Sequence, residues 1–235
     1  MTCSHLSTDP ESVIKGQTAT VKENSCMSLP ENRKRARSDD EKEARRRAIL
    51  RATRVMIEEK GFESLTMNAI AGEVGVSKGT LYLYARNKEE LLLAVFSDAM
   101  EEVVALIEQA SADTLAQRLV DAPADVPLFL PLLARLFTDL EQAVSDEVLF
   151  TEKRRMRGMG LRVAQVISDR TGTPLERTRE ASMVLMLALQ GAAQFDLASR
   201  RKPEDVPEDL ETMFAKEGFK TSYGMAVRLV LNGLK

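Results

Sequence analysis

From Ser38 to the C-terminus, apolar residues recur at the three- and four-residue spacing of helices. Ile49, Ala52 and Val55 or Met56 form the stripe of a first helix, which opens at a Ser38–Glu41 capping box and stops at Gly61. Met67, Ile70, Ala71 and Val74 make a second, short stripe capped by Thr66. Gly75 supplies the left-handed turn that ends it, Val76 plugs the angle, and Ser77 caps a third helix whose Leu81 points back at Ile70 and Val76. Asn87 and Glu90 form another capping box, opening a helix to about Ala110 with Leu91, Leu92, Val95, Phe96, Met100 and Val103 on its apolar side. Further helices are expected near 114–121, from Asp125–Pro127 to about Val144, over 146–170, from Thr173–Pro174–Glu176 to about Ser199, after Asp205 and Glu208, and over 221–234. The expected fold is all-α, an N-terminal three-helix helix-turn-helix unit followed by a larger helical body. The expected divisions are a disordered tail 1–37 with a basic end, a three-helix unit 38–87, and a larger helical unit 88–235.

The segment 66–84 carries the sharpest chemistry. Two short helices joined at a glycine turn form the unit that places a helix in the DNA major groove. The first turn of the second helix is small or basic (Lys78, Gly79, Thr80), so a backbone and a base edge can approach each other. Lys78 is the candidate for base-edge contact and Thr80 for a base or methyl contact. Thr66, Tyr82, Tyr84 and Lys88 are candidates for phosphates, with Ser77 and Gly79 shaping the turn and Arg45, in the Arg45–Arg47 cluster, reaching the backbone. A plain helical corner with solvated charges is the competing reading. The run Arg33–Arg37 reads either as a solvated cluster or as an arm that tracks phosphates.

Charge distribution adds an asymmetry. Residues 33–90 hold 14 Lys/Arg against 10 Asp/Glu, a balance of +4, whereas residues 91–235 hold 17 against 22, a balance of −5. A basic end on an acidic body suits a protein that meets DNA through one end. The sole histidine is His5, which removes His-based triads and nearly all His metal sites; no phosphate-binding Gly-rich loop occurs. No enzyme activity, catalytic residue, metal or cofactor is therefore expected. Cys3 and Cys26 form no disulfide framework, no signal peptide is seen, and the apolar runs 128–137 and 183–195 are too short to span a bilayer. A cytoplasmic protein without membrane contact is expected.

Residues 45–96 resemble the DNA-binding domain of the TetR/AcrR transcriptional regulators. The likeness runs without a gap through Ile49-Leu50, Ala52, Gly61-Phe62, Thr66, Ile70-Ala71, Gly75-Val76-Ser77, Gly79-Thr80-Leu81-Tyr82 and Lys88-Glu89-Glu90-Leu91. Ala85 stands where the family usually has an aromatic residue, and Ile57 replaces a frequent Phe, so the small core is expected to lean on Met56, Phe62 and Leu81. The resemblance implies that 38–87 is the DNA-binding unit and 88–235 the effector-binding and dimerisation unit, in a homodimer that uses the helices near 176–199 and 221–234. It also implies a near-palindromic double-stranded operator, and a repressor released by a small, apolar effector. The implied effector cavity draws on Phe96, Met100, Phe129, Leu133, Phe137, Met156, Met159, Val163, Met183, Met186, Gln190 and Phe195; plain core packing is the alternative for each. The basic helix 146–170, with Lys153, Arg154, Arg155, Arg157 and Arg162, is either a salt-bridged face or a place to capture an anionic effector. Two other classes fit the chain: a DNA-associated adaptor that senses no metabolite, and a helical hydrophobe-binding protein with a vestigial DNA unit.

Overall fold

The computed structural model describes residues 31–198, 206–211 and 218–234, with side chains from Asp39 onward apart from Ala198 and Leu210. Cys3, His5, Cys26 and Asp205 lie outside the described residues. Among the described residues every regular element is helical.

Helix α1 spans Glu31–Lys60, so Ser38 lies inside it and the expected capping box is not its start. The segment is dense in Arg, Lys, Glu and Ala, whose backbones favour the helix, so it has no reason to begin at the first capping residue. The described residues from Lys42 onward form one compact unit. Within it, α1 buries Ile49, Leu50, Met56 and Ile57, and Thr53 satisfies its hydroxyl on the Ile49 carbonyl at 2.9 Å. A 3-10 turn at Phe62–Ser64 leads to α2 (Met67–Val74) and α3 (Lys78–Tyr82).

Helix α4 (Lys88–Glu108) is the axis of the body, packed against α5 (Leu115–Asp125), α6 (Phe129–Arg135) and α8 (Asp146–Thr171). Residues 90–97 are all buried, so this half of α4 is enclosed on every side. An ion pair also ties it to α1: Arg54 donates through two nitrogens to the Glu102 carboxylate, and through Nε to Glu58 of its own helix at 3.2 Å. One apolar cluster runs from Ile49 and Leu81 through α4 to Val227, so packing crosses position 87/88 without a gap.

The stretch expected as a single helix over 125–144 is instead three pieces. Asp125 ends α5, α6 follows Leu128, and Leu136–Leu140 widen into a π turn before α7 (Glu141–Ala143). Gln190 and Gln194 of α9 (Leu175–Ala198) donate to the carbonyls of Leu133 and Ala134, just where the helix widens. Helix α8 runs unbroken through Gly158 and Gly160, and a Cβ at either would meet nothing within 4 Å, so close packing does not explain them. Helix α10 (Phe219–Asn232) packs on α5 and α9.

Candidate nucleic-acid interface

The corner between α2 and α3 is built from local hydrogen bonds. The Thr66 hydroxyl accepts from the Ala69 N–H at 3.1 Å and caps α2. Gly75 takes φ 72°, which costs a residue with a Cβ about 1–2 kcal/mol. Around it the Val76 N–H bonds to the Ala71 carbonyl at 2.9 Å and the Gly75 N–H to the Gly72 carbonyl at 3.2 Å. This double closure satisfies the last carbonyls of α2 and turns the chain sharply. Ser77 then caps α3 by accepting from the Thr80 N–H at 3.0 Å, and its hydroxyl lies 2.9 Å from that of Thr80.

Burial sorts the two faces of α3. Leu81 and Ile70 are fully buried against each other's cluster, together with Met56, Ile57 and Ala85. Truncating such a residue to Ala costs about 2–5 kcal/mol. Phe62, half-buried against this cluster, carries the Arg135 guanidinium 4.4 Å from its ring centre. On the outer face, Ser77, Lys78, Gly79 and Tyr82 are exposed, as are Thr66 and Arg45. The Lys78 ammonium sits 5.8 Å from the centre of the Tyr82 ring, so cation and aromatic leave the helix side by side. Thr80 and Lys88 are half-buried. Gly79 has no neighbour that requires a glycine, since an added Cβ would meet only Ser77 Oγ at 3.8 Å.

Tyr84, a candidate for phosphate contact, is less exposed than Tyr82. It is half-buried, packs on the core, and lines a cavity of about 260 Å³ between α1, the α3–α4 turn, the start of α4 and the start of α8. The chain turns inward after Leu83 to reach the α4 cap, which takes the ring with it. None of the twelve effector candidates lines this cavity. Phe96 and Phe129 are buried and stacked with centroids 5.5 Å apart, Leu133 and Met159 are buried, and Met100, Met156 and Val163 are half-buried. Gln190 uses its amide on the α6 backbone. Met183, Met186 and Phe195 instead reach the surface, because α9 is apolar almost all round and only one side of it is covered within the protomer, and Phe137 is exposed on the π turn beneath the Lys153 ammonium.

Three of the α8 cations are paired across helices. Arg162 donates to both Glu101 and Glu108, which holds Glu108 below its ordinary value; Lys153 pairs with Glu141 at 2.6 Å and Arg155 with Asp98 at 2.8 Å. These three serve as ties between helices rather than as open anion sites.

Sequence reasoning read Glu90 only as a helix cap and passed over Glu152. Both are buried in the cavity wall. Glu90 Oε2 does accept a cap hydrogen bond, from the Arg86 N–H at 2.8 Å, while Asn87 Oδ1 accepts from the Glu90 N–H at 2.9 Å. No pattern in the sequence marks Glu152, which sits beside a basic run on α8.

A capped, glycine-turned pair of short helices with one outward polar face, carried on a helical bundle, defines a helix-turn-helix DNA-binding protein. Comparison with known proteins narrows this class. The model for bacterial regulatory proteins of the tetR family matches residues 49–95, and that for the tetracyclin repressor-like C-terminal domain matches residues 90–235. The chain therefore belongs to the tetR family of transcriptional regulators, which are not enzymes. The fatty acid metabolism regulator protein of Bacillus subtilis is 34% identical over 61 residues, 26% of this chain and 31% of that protein. The chain spans about a third of the length of the curated relatives it matches. Among solved structures, a TetR transcriptional regulator from Rhodococcus sp. RHA1 is 20% identical with a TM-score of 0.57, covering 83% of this chain and 100% of that one. The TetR-family repressor FadR of Thermus thermophilus, solved with lauroyl-CoA, is 19% identical with a TM-score of 0.53, covering 81% and 95%. Among the described residues, no helix is long and apolar enough to cross a membrane.

Proposed function

We propose that this regulator acts as a homodimeric repressor that holds a near-palindromic operator and is released by a small apolar effector. The observation that carries the reading is the division of α3: Leu81 is fully buried, while Lys78, Gly79 and Tyr82 face outward. A helix anchored in this way presents a rigid edge to the major groove. Lys78 and Thr80 address the bases; Thr66, Tyr82, Lys88 and Arg45 address phosphates, which set register without reading sequence. Tyr84, which turns toward the cavity between α1, α4 and α8, supports the turn instead.

Dimerisation is favoured by the outer faces of α9 and α10. Met183, Val184, Met186, Leu187 and Phe195, with Leu229 on α10, are large apolar residues left exposed in the protomer. Exposed apolar surface of this kind on a monomer is unusual and marks a contact site. A two-fold dimer formed there gives an operator with two related half-sites.

The effector reading draws on the methionine-rich body, where Met100 and Met156 are half-buried and Met side chains adapt to irregular ligands. The fold is one in which the Thermus thermophilus regulator holds lauroyl-CoA, so acyl thioesters belong in a first ligand panel. A ligand can release DNA only through different affinities for the two head geometries. Arg54–Glu102 and the Asn87 amide, which donates to the Ala143 carbonyl at 2.7 Å, are polar ties between the helix-turn-helix unit and the body that add to the apolar packing such a ligand must work through.

The test is selection of genomic fragments by the purified full chain, followed by challenge of the bound fragment with the panel. The expected result is a two-fold-related motif released by one ligand class. A protein without duplex preference at low ionic strength refutes the reading, and selective binding that no small molecule shifts refutes its effector half.

A further inference from the structure

Leu83 contributes little to the packing of the fold that carries it. It closes α3 with a helical backbone (φ −74°, ψ −15°) and donates its N–H to the Thr80 carbonyl at 3.2 Å. Its side chain is 78% exposed, more than any other large apolar residue among the described ones, and it joins neither the core nor the half-buried residues packed on that core. A scattered exposed leucine is ordinary on a protein surface and needs no explanation. The place of this one on α3 does.

At about 100° per residue, Gly79 and Leu83 each lie roughly 160° around α3 from the fully buried Leu81. They form the ridge that points away from the core, with Lys78 and Tyr82 along one flank and Thr80 along the other. Gly79 has no side chain, so the ridge presents that of Leu83 alone, and nothing on the preceding turn covers it.

The chemistry of an isobutyl group limits what it can read. Leucine neither donates nor accepts a hydrogen bond, so it addresses neither a phosphate nor a polar base edge. Among the groups that the four bases turn to the major groove, only the thymine C5-methyl is apolar. Against other edges, Leu83 would shield the cytosine amino group or the guanine acceptors from water without replacing their hydrogen bonds, which is unfavourable. One exposed side chain is also far too small for a protein partner, whose stable interface takes about 800 Å² on each side.

We propose that Leu83 selects thymine, by seating its isobutyl group on the C5-methyl of one T·A pair. This deepens, and rests on, the reading of α3 as the helix that enters the major groove. Lys78 and Thr80 supply hydrogen bonds to base edges; Leu83 adds an apolar contact that neither can make. Leu83 lies five residues beyond Lys78, which is ~7.5 Å along the helix, or the length of two base pairs. The thymine it reads therefore lies within about three base pairs of the pair read by Lys78.

The experiment begins with selection of duplexes by the purified full chain. Each thymine of a selected duplex is then replaced in turn by deoxyuridine, which removes the methyl and keeps every hydrogen-bonding group. Affinity is read by fluorescence anisotropy at fixed salt. The expected result is a thymine at the stated distance whose replacement weakens binding by ~3- to 5-fold, the contribution of one buried methyl. Leu83→Ala should keep its Tm within ~2 °C, because the side chain is exposed. It should bind the thymine duplex at least ~3-fold more weakly than wild type and should not distinguish thymine from uracil. Leu83→Met, still apolar, should keep the preference, and Leu83→Gln, similar in size but polar, should lose it; this pair reads the contact even if the alanine variant is unstable. At the same position 5-methylcytosine should be bound ~3- to 5-fold more tightly than cytosine by wild type and equally by Leu83→Ala. Failure to select any duplex refutes the DNA reading itself. A thymine–uracil difference that persists in Leu83→Ala overturns the assignment. So does weaker binding by Leu83→Ala with no such difference in wild type, which places the side chain on deoxyribose instead. The DNA reading survives both of these results.

Discussion

Gly79→Ala separates folding from DNA recognition at a single methyl group. Gly79 is the second residue of α3, exposed, in a helical conformation, and free of any neighbour closer than Ser77 Oγ at 3.8 Å from an added Cβ. That distance is ordinary van der Waals contact, so the fold accepts the methyl without movement. Alanine is also the better helix former, by about 0.5–1 kcal/mol. In a chain of this size, 1 kcal/mol corresponds to ~2–4 °C, so the melting temperature should rise by roughly 1–4 °C. The effect on DNA runs the other way. If the first turn of α3 lies against the groove, the methyl must be forced into a packed interface, at a cost of ~1–3 kcal/mol. This is a loss of about 5- to 150-fold in affinity. The assay pairs circular-dichroism melting with fluorescence anisotropy on the selected operator at fixed salt. A variant at least as stable as wild type that binds the operator equally well would refute the placement of this turn against DNA. Weaker binding accompanied by a lower melting temperature would refute the claim that nothing in the fold requires this glycine.

Three further perturbations test other parts of the account. Lys78→Ala should cost ~1–3 kcal/mol and relax preference at one base pair per half-site, read by competition with single-base operator variants; an unchanged preference rules out the base contact. Leu187→Glu places a charge on the outer face of α9 at a residue 63% exposed, so the protomer should keep its fold while the dimer dissociation constant rises by at least ~10-fold in sedimentation; an intact dimer means the interface is elsewhere. Burial pushes the Tyr223 phenol up from its ordinary 10.0. Above that pH the unfolded chain sheds a proton that the folded chain retains, so stability should fall by up to ~1.4 kcal/mol per pH unit, and Tyr223→Phe should flatten that slope in alkaline denaturant titrations.

The corner at 66–82 was legible residue by residue because each signal acts within a few positions. Thr66 caps Ala69, Ser77 caps Thr80, and Gly75 closes onto Ala71 and Gly72; a reader of the sequence needs no distant partner to place them. The long helices α4, α8 and α9 were legible for a similar reason, since their apolar spacing is a property of each helix alone. The misread stretch at 125–144 depends on distant partners. Asp125 and Pro127 look like a helix start, yet α5 continues to Asp125, and the carbonyls at 133 and 134 find donors on α9. Ser38 looks like a cap but lies within a run of good helix formers.

The sequence by itself therefore determined the all-α class, the DNA-reading corner and which of its residues are small, basic or capping, because these follow from backbone preferences and contacts three or four residues apart. Tertiary structure alone decided that Met183, Met186 and Phe195 face outward, that Arg162 is tied to Glu101 and Glu108, and that Glu90 and Glu152, 62 positions apart in the numbering, share one cavity. An apolar or acidic residue carries the same letter whether it ends in a core, at an interface or beside an unpaired partner. Which of these it becomes depends on the helix that arrives opposite it, and that is settled only when the whole chain packs.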